Sequence, residues 1–385
     1  MGYGDPGAFG GGAAVGAATP NMDRLAAEGL KLTSTYSQAT CTPTRSAILT
    51  GRLPVRTGLT RPILAGDVIT HNPWEDEISL PALLGEAGYA TVLSGKWHVG
   101  EAEGMRPQDI GFDEFYGFYE AQKEISQGVD KRRYPDLVLN PERLDMLRRT
   151  GSSNALVHGF AGGATTEVET IDSIEEMAEA DRMLKEFTLA KIPELAAAGQ
   201  PFFLEHAFMK VHADNFAAAA FEGASASKYP YKDAVVEVDA YIGEIVAALD
   251  AAGVPDNTFI FVTSDNGPQL DSWPDTGYPP FRGAKGSAWE GGVRVPGIAY
   301  WRGMIAPGRE SDELFDLMDL FNTSLSLAGI ANRLPTDRYI DGIDQTSFLL
   351  ADDGWSNREK VYIWNEADLM AMRMYEYKIH VKVVE

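Results

Sequence analysis

The stretch QATCTPTRSAILTGR, Gln38 to Arg52, holds Cys41, the single cysteine among 385 residues. A lone cysteine forms no internal disulfide, so a structural staple is excluded. Free cysteine is commonly a small buried hydrophobe. Here its neighbours Thr40, Thr42 and Thr44 are polar, and Pro43 biases Thr42 toward an extended backbone. The following residues read as a helix: Pro43 suits the first turn, Ala47, Ile48 and Leu49 follow, and Gly51 is placed to stop it. Cys41 is therefore expected just ahead of a helix N-terminus, where backbone N–H groups attract anions. Arg45, one turn in, adds a forked cationic donor. The pattern reads as a reactive group facing an anionic substrate, and a thiolate nucleophile with a histidine base is the default chemistry.

Composition narrows the partners. Hydrophobic residues at 44% support a globular chain with a substantial core, and the length suggests about two domains. The net charge of −23 disfavours nucleic acid and anionic membrane, and fits a small anionic ester held in a local basic pocket. Nothing reads as a transmembrane span, and Met1 to Gly16 lacks the basic start and apolar run of a signal peptide, so the expectation is a cytoplasmic protein. Short apolar runs alternate with helical patterns, which is the mark of an α/β fold. Tyr89–Leu93, Phe202–Phe208 and Phe259–Thr263 read as strands. Val235, Val238, Ile242, Ile245 and Leu249 share one face of a helix over Asp233–Ala252, closed by Gly253. Ile171–Ile192 reads as a second helix and Leu317–Ala328 as a third, before strand-like runs at Val361–Trp364 and Tyr377–Val384. Residues 121–170 read as polar and irregular, with Lys131-Arg132-Arg133 as a solvated surface.

Other polar residues sit where chemistry is commonly placed. Lys96 and His98 (SGKWHVG) follow the strand YATVL, beyond whose C-terminal end an α/β sheet binds ligands; on an extended backbone they project to one side. An exposed lysine and a structural histidine are the equal alternative. His212 (MKVHAD) lies at the exit of FFLEHAF and is better placed than His206 inside it, which reads as a packed core histidine; Lys210 is a weaker helper. Asp265-Asn266-Gly267 is good turn chemistry, or else a pair of oxygen ligands for a hard cation such as calcium. Lys285 stands between Gly283 and Gly286, which allow close backbone approach to a ligand. Trp97, Trp273, Tyr278, Phe281 and Trp289 offer aromatic walls.

Cys41-Thr42-Pro43-Thr44-Arg45, continued by Leu49-Thr50-Gly51-Arg52, resembles the signature of type I sulfatases of the alkaline-phosphatase superfamily. So do the G-K-W-H at 95–98, the S-D-N-G at 264–267, the stretch GAKGSAWEGGVRVP, Thr19-Pro20-Asn21-Met22-Asp23, Gly111-Phe112-Asp113 and Asp341-Gly342. The resemblance implies that Cys41 is oxidised to formylglycine by a formylglycine-generating enzyme. One hydroxyl of its hydrate attacks sulfur, and the other loses its proton and expels sulfate by C–O cleavage. It further implies that Lys96, His98 and Lys285 contact the diol and sulfate, with His98 as the base for breaking down the sulfated diol. His212 protonates the leaving oxygen, while Asp265 and Asn266 hold calcium. Trp289, Glu290 and Arg294 shape the lysine loop. The implied fold is an alkaline-phosphatase-like α/β protein, a large mixed sheet sandwiched by helices with a small C-terminal α+β subdomain, split as 1–315 and 316–385. The implied reaction is hydrolysis of a small aryl, alkyl or sugar sulfate; phosphate ester or phosphonate hydrolysis and mere sulfate binding are the alternatives.

One departure matters. The family opens with an apolar strand ending in two aspartates ahead of its M-G-Y-G-D-like residues, whereas this sequence begins at Met1-Gly2-Tyr3-Gly4-Asp5, as a short gene or a fragment would. The expectations are a sheet lacking an interior strand and a cation left with one carboxylate and one amide, against the six to eight oxygens calcium prefers. Asp5 is the nearby substitute, and weak activity is expected.

Overall fold

The computed structural model describes all residues except 65–66, 68–70, 150–153, 271–273 and 383–385, with only the backbone of 147–149. Trp273 and the end of the Tyr377–Val384 run therefore lie outside the described residues. Contacts divide the chain into two units, Met1–Pro62 with Leu249–Glu385, and Ile63–Ala248.

In the first unit, the alternating LKLTSTY of strand β1 (Leu30–Tyr36) buries Leu30 and Leu32 completely, as a period of two requires. They pack with Val295, Ala299, Phe315, Leu317 and Phe348. Strand β1 runs antiparallel to β8 (Arg294–Tyr300) and parallel to β9 (Arg309–Ser311) and β10 (Phe315–Asp316), and β7 (Ile260–Thr263) pairs antiparallel with β8. The order is β10-β1-β8-β7. A bulge interrupts β1 between Leu32 and Thr35. Opposite it only glycine fits, because a Cβ on Gly297 would stand 2.1 Å from the Thr35 hydroxyl. A separate antiparallel sheet is formed by β11 (Lys360–Asn365), β12 (Asp368–Met374) and β13 (Tyr377–His380).

The second unit carries a five-stranded mixed sheet in the order β5-β4-β3-β2-β6. Its members are β2 (Ala90–Lys96), β3 (Glu114–Phe118), β4 (Ala155–Phe160), β5 (Thr166–Thr170) and β6 (Phe202–Ala207). Strand β2 is parallel to both β3 and β6, and the rest are antiparallel. Residues 121–170, expected to be irregular, are organised. They form the helix Gln122–Val129, two further helical segments and both β4 and β5. Strand β5 (TEVET) is exposed throughout and is held by backbone pairing to β4, so its side chains give no apolar signal. The helix expected over Ile171–Ile192 is two, Ile174–Ala178 and Ala180–Ala198, the first opened by a capping box of Ser173 and Glu176.

The α/β class is as expected, with two differences. The described strands form two five-stranded mixed sheets and a three-stranded one, and β7 and β6 each end their sheet with one strand neighbour. The cut expected at 315/316 passes through β10, whose residues pair with Thr35 and Tyr36 of β1, so the C-terminal segment belongs to the first unit. No helix among the described residues is long and apolar enough to cross a membrane.

Asp316, at the end of β10, is buried beside Asp319 and Arg358. Arg358 donates through Nε to Asp319 at 2.7 Å. Burial pushes the Asp316 carboxyl up to about 7, with Arg358 opposing and Asp319 adding to the effect. A carboxyl whose folded-state pKa is raised contributes stability that is full below its unfolded value and lost as pH rises through the folded value. Urea unfolding should therefore show the wild type losing on the order of 2 kcal/mol relative to Asp316→Asn between pH 5 and 8. A difference that is constant with pH would contradict this.

Candidate active site

Helix α1 here denotes Cys41–Thr50, which begins at Cys41 itself, one residue earlier than expected. Thr40 before it is extended, and Gly51 ends it in the left-handed conformation at φ 66°. Cys41 is buried, yet its surroundings are polar. The thiol donates to Asn266 Oδ1 at 3.3 Å, whose Nδ2 in turn donates to the Gly267 carbonyl at 2.7 Å. Thr44, one turn on, donates to the Asp265 carbonyl at 2.6 Å. The expectation that the Arg45 fork faces a substrate anion needs correction. Its Nε and Nη2 both lie 3.1 Å from Asp265 Oδ2, a charge-assisted pair that fixes the carboxylate against α1. The structure thus brings Cys41, Arg45, Asp265 and Asn266 together, from segments more than two hundred residues apart in sequence.

Gly267 is more than turn chemistry: a Cβ there would sit 1.9 Å from the Gly291 carbonyl oxygen. Its absence lets the end of β7 pass against the 283–292 loop, where Gly267 N donates to the Gly292 carbonyl at 2.9 Å. In that loop Gly286 N reaches Ala39 O at 2.8 Å, just before Cys41, and Lys285 Nζ lies 3.4 Å from Gln269 Oε1. Gly283 and Gly286 have φ of 88° and 85°; they are required by backbone conformation, whereas close approach to a ligand was expected. Trp289, Glu290 and Arg294 do hold the loop. Arg282 lies over the Trp289 ring. Glu290 accepts from Tyr36 at 2.6 Å and from Lys378 at 2.7 Å, and Lys378 also caps Ala288 O. Lys378 gave no signal in sequence, because its partners lie about ninety residues away.

Whether Asp265 and Asn266 fit a cation is decided by what they already bind. Asp265 Oδ2 holds Arg45, and Asn266 Oδ1 accepts the thiol. Asp5 does not substitute: its oxygens accept from Gly2 N at 2.7 Å and Tyr278 N at 3.0 Å. Among the described residues no group of three His, Cys, Asp or Glu is arranged to hold a metal ion. These residues alone do not make a calcium cage.

In the second unit, Lys96 ends β2, and both Lys96 and His98 are buried. His98 does not continue the extended strand, since its φ is 60°. Its Nε2 lies 3.0 Å from the Ile63 carbonyl. A carbonyl only accepts, so that nitrogen carries the proton and Nδ1 keeps the lone pair. His212 follows β6, which is parallel to β2 with Gly95 opposite Ala207, so the three residues leave neighbouring strands at the same end. Its Nδ1 is hydrogen-bonded to the Ala213 carbonyl, leaving Nε2 as the nitrogen that gains and loses a proton. His206 is the packed histidine expected of it: Nδ1 bonds the Thr188 hydroxyl at 2.8 Å, Phe208 packs on the ring, and desolvation holds it down to about 3. Lys210 is no helper in chemistry. It is buried against Glu237 at 2.5 Å and donates to Ala178 O at 2.7 Å.

Comparison with known proteins bears directly on this arrangement. The sulfatase family model matches residues 1–330. The chain belongs to the sulfatase family. N-acetylgalactosamine-6-sulfatase of Canis lupus familiaris is 36% identical, over 99% of this chain and 69% of that protein. Bovine arylsulfatase A is 32% identical, over 99% and 72%. Among solved structures, the PsFucS1 sulfatase from Pseudoalteromonas sp. superposes with a TM-score of 0.96 at 51% identity, covering 100% of this sulfatase and 76% of that chain. The activity is accordingly hydrolysis of sulfate esters to an alcohol and inorganic sulfate. The family generally works with formylglycine and a divalent metal ion.

Proposed function

We propose that this sulfatase removes sulfate from a sulfated sugar, with formylglycine made from Cys41 as its nucleophile. The observation that carries the nucleophile is the Cys41 thiol on the first residue of α1, bonded to Asn266. The sugar is supported by the relatives named N-acetylgalactosamine-6-sulfatase, of which the dog protein is 36% identical. A formylglycine-generating enzyme is the partner needed to convert Cys41, a two-electron oxidation of Cβ by an external oxidant such as dioxygen, in which Sγ leaves and a carbonyl oxygen takes its place. For calcium, Asp265 and Asn266 are the oxygen donors this chain offers; they do not complete a shell, and no step below runs through a cation.

By likeness to the sulfatase family, the residues of the two units take these roles. One hydroxyl of the hydrated aldehyde, its proton passing to water, attacks sulfur, and the S–O bond to the alcohol breaks while the cationic His212 ring gives its Nε2 proton to the leaving oxygen. His98 next takes the proton of the remaining hydroxyl through Nδ1. The C–O bond to sulfate breaks, the aldehyde re-forms, and water rehydrates it. Lys96 and Lys285 balance the sulfate's charge through their ammonium groups. Arg45 acts on the site through Asp265.

The test compares initial rates on N-acetylgalactosamine 6-sulfate, 4-nitrophenyl sulfate and the corresponding phosphates, using fully converted enzyme. The sugar sulfate should be favoured in kcat/KM over the aryl sulfate by about tenfold or more, a difference of about 1.4 kcal/mol, with phosphates slowest. Preference for the aryl ester would remove the sugar, and preference for phosphate would remove the reaction class.

A further inference from the structure

His212 stands in a stretch fastened on both sides. On its N-terminal side, Met209 N and Lys210 N donate to Asp181 at 2.8 and 3.0 Å, and Lys210 is locked to Glu237. On its C-terminal side the fastening is Asp214, which is 6% exposed. Asp214 Oδ2 accepts from the Ser126 hydroxyl and from the Tyr134 phenol, each at 2.8 Å. Its Oδ1 pairs with Arg133 Nη1. Gln122 Nε2 bonds the carbonyls of both His212 and Asp214. Burial, and then the bond to Asp214, holds the Tyr134 phenol above its ordinary range, so it stays a neutral donor.

Between these two fastenings lies the Ala213 carbonyl, the acceptor that fixes the proton on His212 Nδ1. Its position is set by the residue that follows it. We propose that Asp214 is a positioning residue: held by Ser126, Arg133 and Tyr134, it fixes the Ala213 carbonyl and so keeps the His212 Nδ1–H bonded there, making Nε2 the nitrogen that is protonated in the acid form and gives that proton to the leaving oxygen. The catalytic part rests on His212 being the proton donor; the tautomer part does not. The arrangement also gives the helix Gln122–Val129 and Arg133 a purpose that a solvated basic surface lacks. A carboxylate accepting three side-chain donors is a more rigid support than a main-chain loop alone. Rigid support is what a proton donor needs, because a displacement of about 1 Å costs up to roughly 100-fold in rate.

The experiment uses the whole, converted enzyme with Asp214→Asn, and with Tyr134→Phe and Arg133→Gln, which each remove one bond should the first variant fold poorly. Two readouts are taken. The 15N shifts of the His212 ring should show Nδ1–H in the wild type and a mixture of tautomers in Asp214→Asn, with intermediate change in the milder variants. On an alkyl or sugar sulfate, Asp214→Asn should lower kcat by about 10- to 100-fold with KM little changed, and on 4-nitrophenyl sulfate much less. Combined with His212→Ala, it should cost nothing further, since both act through one group. An unchanged tautomer in all three variants, or losses that add to those of His212→Ala, would overturn the proposal. A shifted tautomer with equal losses on both esters would keep the positioning role and remove His212 as the acid.

Discussion

Replacing Cys41 with alanine should lower sulfate release by about 10⁴-fold or more, because the change removes the sulfur whose carbon is oxidised to the aldehyde and leaves an inert methyl group. Folding should hardly notice. The lost thiol's bond to Asn266 at 3.3 Å is worth about 1 kcal/mol, and alanine is at home in a helix. Arg45 and Asp265 keep their pair in the variant, so the amide and carboxylate stay aligned on α1. The measurement is inorganic sulfate release beside a urea melt of both proteins. An alanine variant that retains even a hundredth of the activity would exclude Cys41 as the nucleophile. One that is inactive because it is unfolded would show the assigned packing to be wrong.

His212→Ala should have the second largest effect, and it should depend on the leaving group. An alkoxide leaves poorly without a proton, so an alkyl or sugar ester should slow by about 10²–10⁴-fold, the usual worth of a general acid. A nitrophenolate needs little protonation and should slow far less. The hydrogen bond from Nδ1 to the Ala213 carbonyl supports this role, because it leaves Nε2 as the exchanging nitrogen. Equal losses on both esters would assign His212 to substrate binding.

The Cys41 stretch disclosed most of its local structure in advance, since a helix begun near Pro43 and stopped by Gly51 rests on side-chain preferences within ten residues. The strand-end positions of Lys96, His212 and Asp265 were legible for a similar reason, because each follows an apolar run. Partners were not. That the Arg45 guanidinium is held by Asp265, and Lys210 by Glu237, depends on chain crossings that no local pattern encodes. The polar segment 121–170 was misread because β5 is paired through its backbone while its side chains face solvent. Arg133 looked like a surface charge because its partner Asp214 lies eighty-one residues further on. The boundary expected at 315/316 failed likewise, since two residues of β10 pair with β1, a bond pattern invisible to composition.

The most direct test of the account is the mass of the tryptic peptide Leu32–Arg45 from active enzyme made beside a formylglycine-generating enzyme. The account predicts the aldehyde at Cys41, with sulfate release rising in proportion to the aldehyde fraction across preparations of different conversion. Full activity from protein carrying only the unmodified thiol would contradict it.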